Sequence, residues 1–195
     1  MLKQGVMDEL SDEHLMQKYG SGDASAFEQL YLRHKNSLYR YLLRQSTEPQ
    51  IAEEIYQDVW HKVIAARLTY QASAQFNTWL YHLARNALID HFRRSATAHK
   101  YVVEDDGSHN HAESDLVDNE QAIDTTKQLM LLKHCLQQLP QPQQEAFLLK
   151  HEAGLSLYAI AEVVGEQEQS IKSRLRYALN KLKYCMQAKL GDNHG

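Results

Sequence analysis

Apolar residues recur at three- and four-residue spacing along most of the chain, and no β-branched alternating run of strand length interrupts them. The pattern predicts an all-α fold of two small helical domains, residues 10–100 and 126–190. In the first, Ser11 has the chemistry of an N-cap for a short helix ending near Tyr19. Gly20 to Asp23 reads as a turn. Phe27, Leu30, Tyr31, Leu38 and Leu42 then stripe a long helix. Thr47-Glu48-Pro49 punctuates, and Ile55, Val59 and Val63 carry a third helix from about Gln50 to Arg67. A polar stretch, Thr69 to Gln75, leads to a fourth helix over about Phe76–Ala98, with Trp79, Leu80, Leu83 and Ala87 on its buried face. Four further helices are predicted at roughly Lys127–Gln138, Gln143–Glu152, Ser156–Val163 and Gln167–Lys189. Neither set has a long apolar surface to spare for the other. Residues 1–10 carry no clear structural signal, and Met7 offers a start alternative to Met1.

The sharpest local pattern lies between Leu155 and Leu182. Leu157, Ile160, Ala161 and Val164 fall at i, i+3, i+4 and i+7, on one helix face. Gly165 follows, where a tight turn tolerates a positive φ. A second apolar series, Ile171, Leu175, Ala178 and Leu182, comes next. Small Ala161 lets the second helix cross close above the first. The outward face presents Gln169, Ser173, Arg176, Tyr177 and Asn180, with Lys172 and Arg174 on the flanks. These side chains suit base edges and phosphates in a major groove, as in a helix-turn-helix. An ordinary helical hairpin with a solvated basic face is the competing reading.

Wider motifs bear on that choice. Upstream stands Leu136-Gln-Gln-Leu-Pro-Gln-Pro-Gln-Gln-Glu-Ala-Phe-Leu-Leu149, in which Pro140 and Pro142 close one helix and open the next. With Gly154-Leu-Ser156, Ile160-Ala161 and Ser170-Ile-Lys-Ser-Arg-Leu175, this stretch resembles region 4 of the sigma-70 family of RNA polymerase sigma factors. Ala52-Glu-Glu-Ile-Tyr-Gln-Asp-Val-Trp60 is similar to region 2.2, and the run from Phe76 to Arg94 to regions 2.3 and 2.4. The nearest likeness is to the small extracytoplasmic-function (ECF) factors. The resemblance implies two domains, sigma region 2 and sigma region 4 with its helix-turn-helix, joined by a flexible acidic linker.

It also implies partners: core RNA polymerase, through the β′ clamp helices and the β subunit; promoter DNA; and, in many such systems, an anti-sigma factor. Glu54, Gln57 and Asp58 lie on a polar stripe at helical spacing, the expected polymerase-docking face. Tyr81, Arg85, Asn86 and Arg93 are expected to hold the melted −10 element, since rings stack on bases while cations hold the backbone. Asp90 matches the same motif, although an ion pair with Arg93 or Arg94 explains it equally well. Tyr70, Ser73 and Gln75 are loop candidates for pocketing an unstacked base. Lys172, Ser173, Arg176 and Tyr177 align with readers of the −35 element. The chain departs from the family where Tyr177-Ala178-Leu179 replaces a usual R-A-R, and where Tyr158-Ala159 precede Ile160 instead of a glutamate. Arg174, on the flank, is a candidate to bond the neighbouring helix.

The net charge of −4 looks wrong for a DNA binder until its distribution is read. Glu104 to Asp124 holds eight carboxylates and no Lys or Arg, so residues 101–125 read as a flexible acidic linker. Lys172 to Lys189 holds six Lys or Arg and no carboxylate, and local charge governs DNA contact within a screening length. Cys135 and Cys185 form no secreted framework and are expected to pack as small apolar residues in separate helices. His99, His109 and His111 lack the i, i+4 spacing of a helical metal site, and no phosphate loop, nucleophile elbow or HExxH occurs. The expectation is no catalytic residue, no metal and no cofactor. No apolar run is long enough for a signal sequence or membrane insertion, which points to the cytoplasm. The alternative function is a helix-turn-helix transcriptional regulator with an N-terminal sensor or dimerisation domain.

Overall fold

The computed structural model describes residues 10–46, 48–72, 74–99 and 120–191. Among these residues it contains eight α-helices and no strand. The N-terminal lobe comprises α1 (Asp12–Gly20), α2 (Ala24–Gln45), α3 (Pro49–Ala65), a 3₁₀ turn (Ala66–Leu68) and α4 (Phe76–His99). The C-terminal lobe comprises α5 (Glu120–Gln137), α6 (Gln141–His151), α7 (Leu157–Val164) and α8 (Glu168–Gly191). Helix α5 begins seven residues before the predicted Lys127, inside the stretch read as linker. Residues 101–119 of that stretch, with His109 and His111, lie outside the described residues, as does Ser73.

Helix starts follow capping chemistry. Ser11, Asp23 and Ser156 each accept a backbone N–H of the first turn that has no intrahelical partner. Pro49 and Pro142 occupy first-turn positions, where a missing N–H costs nothing. The start of α4 is secured from a distance: Glu13 on α1 accepts the Phe76 N–H at 2.7 Å. Gly20 marks where α1 meets the 3₁₀ turn, since a Cβ there would lie 2.6 Å from the Arg67 carbonyl oxygen.

Leu15, Met16, Leu30, Leu38, Leu42, Val59, Phe76 and Leu80 fill the N-terminal core. A rim of rings, Phe27, Tyr31 and Tyr56, surrounds Trp60 at 5.0–6.2 Å. One polar knot ties α1 to α2: Asp12 pairs with Arg33 Nη1 at 2.9 Å and with His34 Nε2 at 2.6 Å. Burial works against the charged form of Asp12, but the bonds and charge from His34 and Arg33 hold its carboxyl below the usual range. Glu13 is likewise held down against burial, mainly by the Phe76 N–H.

Two expectations need correction. Cys135 on α5 and Cys185 on α8 are joined in a disulfide, with Cα atoms 5.9 Å apart. The first and last helices of the C-terminal lobe run side by side, which sequence distance concealed. Second, the lobes do share a surface. Helix α7 packs on α4 and α6 meets α2, and buried residues of both lobes form one cluster.

Two predictions follow from this packing. The depressed Asp12 and Glu13 carboxyls stabilise the fold above their unfolded pKa near 4, and this contribution fades as pH falls through the lower folded values. Asp12→Asn is expected to cost about 1–3 kcal/mol near neutrality and to flatten the acid limb of urea unfolding measured against pH. Reducing the disulfide, which closes a 50-residue separation, is expected to remove about 3–4 kcal/mol from the C-terminal lobe in the chain-entropy account. Thermal unfolding with and without reductant measures it, and Cys135→Ser should erase the difference.

Candidate polymerase and nucleic-acid interfaces

The helix-turn-helix is built as its pattern requires. Gly165 ends α7 in the left-handed region at φ 73°, and its N–H returns to the Ala161 carbonyl. Ile171, Leu175, Ala178 and Leu182 of α8 are all buried, beside Ile160, Ala161 and Val163 of α7. Lys172, Arg176 and Tyr177 consequently face solvent, with Ser173 half-buried at the edge. The Arg176 guanidinium lies over the Tyr177 ring at 5.1 Å, which pre-orders both side chains on the outer face. Arg174 turns aside and pairs at 2.7 Å with Glu166 of the turn, not with the neighbouring helix that its flank position suggested.

On α3, Glu54, Gln57 and Asp58 are exposed, and Gln57 donates to Glu53 at 3.0 Å. A shallow depression between α3 and α4 is lined by Asp58, Lys62, Ala87, Asp90, Arg93 and Arg94. It brings Asp58 and Arg93 together from the two face assignments made separately in sequence. Arg94 Nε donates to the Asp90 backbone carbonyl at 3.3 Å. Asn86 is exposed and bonds to His82 Nδ1 at 3.1 Å.

Two of the proposed −10 residues are placed differently from expectation. Tyr81 is fully buried, its ring 5.2 Å from Tyr41, and burial pushes its phenol up to about 12. Arg85 is turned toward the C-terminal lobe, its Nε 2.9 Å from Glu145. Tyr81 packs inside its own lobe, against α2, whereas Arg85 is drawn aside by the docking of the C-terminal lobe on α4, which the apolar pattern did not foretell. Tyr70 also points inward, against Trp79 at 5.1 Å, and burial raises its phenol to about 12. Gln75 is exposed.

Two family matches can be set beside this geometry. The model for Sigma-70 region 2 matches residues 30–97, and that for Sigma-70, region 4, matches residues 129–182. The chain belongs to the sigma-70 family. Its relatives include the ECF RNA polymerase sigma factor SigL of Mycobacterium tuberculosis, 30% identical over 86% of this chain and 92% of that one. The RNA polymerase sigma-H factor of Pseudomonas aeruginosa is 25% identical over 87% and 91%. Among solved structures, CnrH in complex with the cytosolic domain of CnrY aligns with a TM-score of 0.65 at 21% identity, over 91% of this chain and 97% of that one. RpoE in complex with the anti-sigma factor NepR from Bartonella quintana aligns at 0.63 and 24% identity, over 83% and 96%. These two likenesses concern the fold.

This ECF-type sigma factor binds core RNA polymerase and directs promoter-specific initiation. Its sequence did not disclose Arg40, Arg44, Glu145 and Glu152, which join its lobes. Arg40 Nε lies 2.7 Å from Glu152, Arg44 bonds the other oxygen of that carboxylate, and Asn77 Nδ2 donates to the Ala153 carbonyl at 2.7 Å. The available signal was Glu145, a carboxylate immediately before the apolar run Ala146-Phe147-Leu148-Leu149. Among the described residues no three His, Cys, Asp or Glu side chains gather as a metal site, and no helix is long and apolar enough to cross a membrane.

Proposed function

We propose that the two lobes divide promoter recognition between them. The N-terminal lobe docks on the β′ clamp helices through Glu54, Gln57 and Asp58. It holds the melted −10 strand along α4 with Arg85, Asn86 and Arg93, while Tyr81, buried against Tyr41, supports α4 from within. The C-terminal lobe reads the −35 element with Lys172, Ser173, Arg176 and Tyr177. The domain limits are those read from sequence, 10–100 and 126–190, except that the second domain starts with α5 at Glu120, so the connecting acidic stretch is shorter than 101–125. The factor works in the cytoplasm with the polymerase, which supplies the catalysis; the factor itself is not an enzyme. By analogy with the neighbours solved beside CnrY and NepR, an anti-sigma factor is a further partner.

The observation that carries this reading is the presence of both family regions in one chain, in order. A regulator using only the helix-turn-helix leaves region 2 unexplained. The deciding experiment adds the purified chain to core polymerase lacking any other sigma factor. Specific transcription from a selected promoter is the expected result, and transcription only with a second sigma factor present would favour the regulator.

Asp58 is exposed, so Asp58→Lys should leave helical content unchanged and weaken core binding about tenfold, measured by competition for core enzyme. On α8, an arginine bidentate to guanine discriminates by roughly 1–3 kcal/mol. Arg176→Ala is expected to relax preference at one or two −35 positions. Lys172→Ala should weaken all promoters alike and lower the salt dependence by about one phosphate contact. Binding of the mutant holoenzymes to −35 variants at several salt concentrations separates the two effects.

A further inference from the structure

Helix α1 is short, yet it meets both ends of the connection that leads into α4. At the upstream end, Gly20 faces the 3₁₀ turn so closely that a Cβ would lie 2.6 Å from the Arg67 carbonyl oxygen. The Arg67 guanidinium lies 6.0 Å from the centre of the Tyr19 ring. At the downstream end, Glu13 Oε1 accepts the Phe76 N–H at 2.7 Å. The acceptor is a carboxylate, so the bond is short and directional. Leu15 and Met16 already pin α1 in the core, and Asp12 ties it to Arg33 and His34 of α2. Glu13 and Gly20 therefore add position more than cohesion.

Position matters because the connection is slack. Thr69 to Gln75 is seven residues, with a reach of roughly 23–25 Å when extended. Glu13 and Gly20 stand seven residues apart on one helix, roughly 10 Å along its axis. The points they hold, Arg67 and Phe76, thus stay much closer than the chain between them could reach. A slack stretch has many conformations unless its ends are fixed. Inside those limits Tyr70 anchors it once more. Its N–H donates to the Ala66 carbonyl at 2.8 Å, and its ring packs against Phe76 and Trp79 at 6.1 and 5.1 Å. Gln71 and Gln75 remain exposed, amides that offer both donor and acceptor to a base edge.

We infer that Glu13 and Gly20 make α1 a two-point clasp that positions the Thr69–Gln75 connection and the first turn of α4, and thereby sets the base preference at the −10 element. Both are positioning residues, acting through Phe76 and Arg67 instead of touching DNA. The inference rests on the −10 role proposed above for the N-terminal lobe and names what fixes its specificity. Loss of the Glu13 bond frees the Phe76 N–H and lets α4 start in more than one way. A Cβ at Gly20 pushes the Arg67 carbonyl aside, since backbone cannot swing away as a flexible side chain can. The two changes act on opposite ends and should converge on the same promoter positions.

The test uses the full chain with core polymerase and promoters varied one base at a time in the −10 and −35 elements. Open-complex formation and affinity for core are both measured. Glu13→Ala and Gly20→Ala are each expected to lower discrimination at one or two −10 positions about fivefold or more, the lower end of what a well-made base contact supplies. Glu13→Gln retains an acceptor oxygen and should keep the wild-type preference. Discrimination at −35, made by the other lobe, and affinity for core should not change in any of the three. A variant that merely folds less well would lose activity on every promoter alike, with its −10 preference intact. That result in both alanine variants overturns the clasp, as does equal loss of discrimination at −10 and −35. In either case the wild-type −10 preference, and with it the proposed function, stands. A wild-type factor with no −10 preference would overturn the role given to the N-terminal lobe, and the clasp with it.

Discussion

Glu145 sets the constraint on which the arrangement of this sigma factor turns. It lies on α6 in a run of five consecutive buried residues, Glu145 to Leu149. A short helix buried nearly all round must touch both its own lobe and another surface. The apolar members serve the C-terminal core, and the one carboxylate needs a cation, because a buried unpaired charge is costly. Arg85 of the opposite lobe supplies it. One ion pair thus links the core of the C-terminal lobe to α4, the helix proposed to hold the −10 element.

Around that link, each helix proposed to meet DNA is fixed by contacts made away from its outer face. For α8, the left-handed Gly165 and the buried Ile171–Ala178 side force Arg176 outward. For α4, a carboxylate from α1 accepts the first N–H, and Asp12 anchors α1 to α2 through Arg33 and His34. The N-terminal lobe therefore presents α4 as part of a rigid unit, in keeping with the need to hold an unpaired strand in place.

Helices and the helix-turn-helix were legible because their signals are local. Periodicity, Ser and Asp caps, paired prolines and Gly165 act within a few residues, and boundaries fell within two or three positions except at α5. There, Glu120 and Asp124 read as linker, yet α5 already begins at Glu120. The outer faces of α3 and α8 were legible for the same reason. The misplaced features were long-range. Nothing near Cys135 announces Cys185, and nothing near Arg85 or Tyr81 announces α6 and α7. A polar residue on a helix face looks the same in sequence whether it meets water, DNA or another lobe. Only the carboxylate bordering an apolar run, Glu145, hinted at a cation to come.

The proposed division of recognition requires the lobes, packed together in the free chain, to part on the promoter. The most direct measurement is single-molecule energy transfer between a donor at exposed Glu28 on α2 and an acceptor at exposed Glu162 on α7, introduced without using the cysteines. It would follow the same molecules from the free chain through core binding to the promoter complex. The account predicts high transfer in the free chain at low salt and a discrete drop to low transfer when the promoter complex forms. Low transfer in the free chain, or high transfer retained on the promoter, would contradict it.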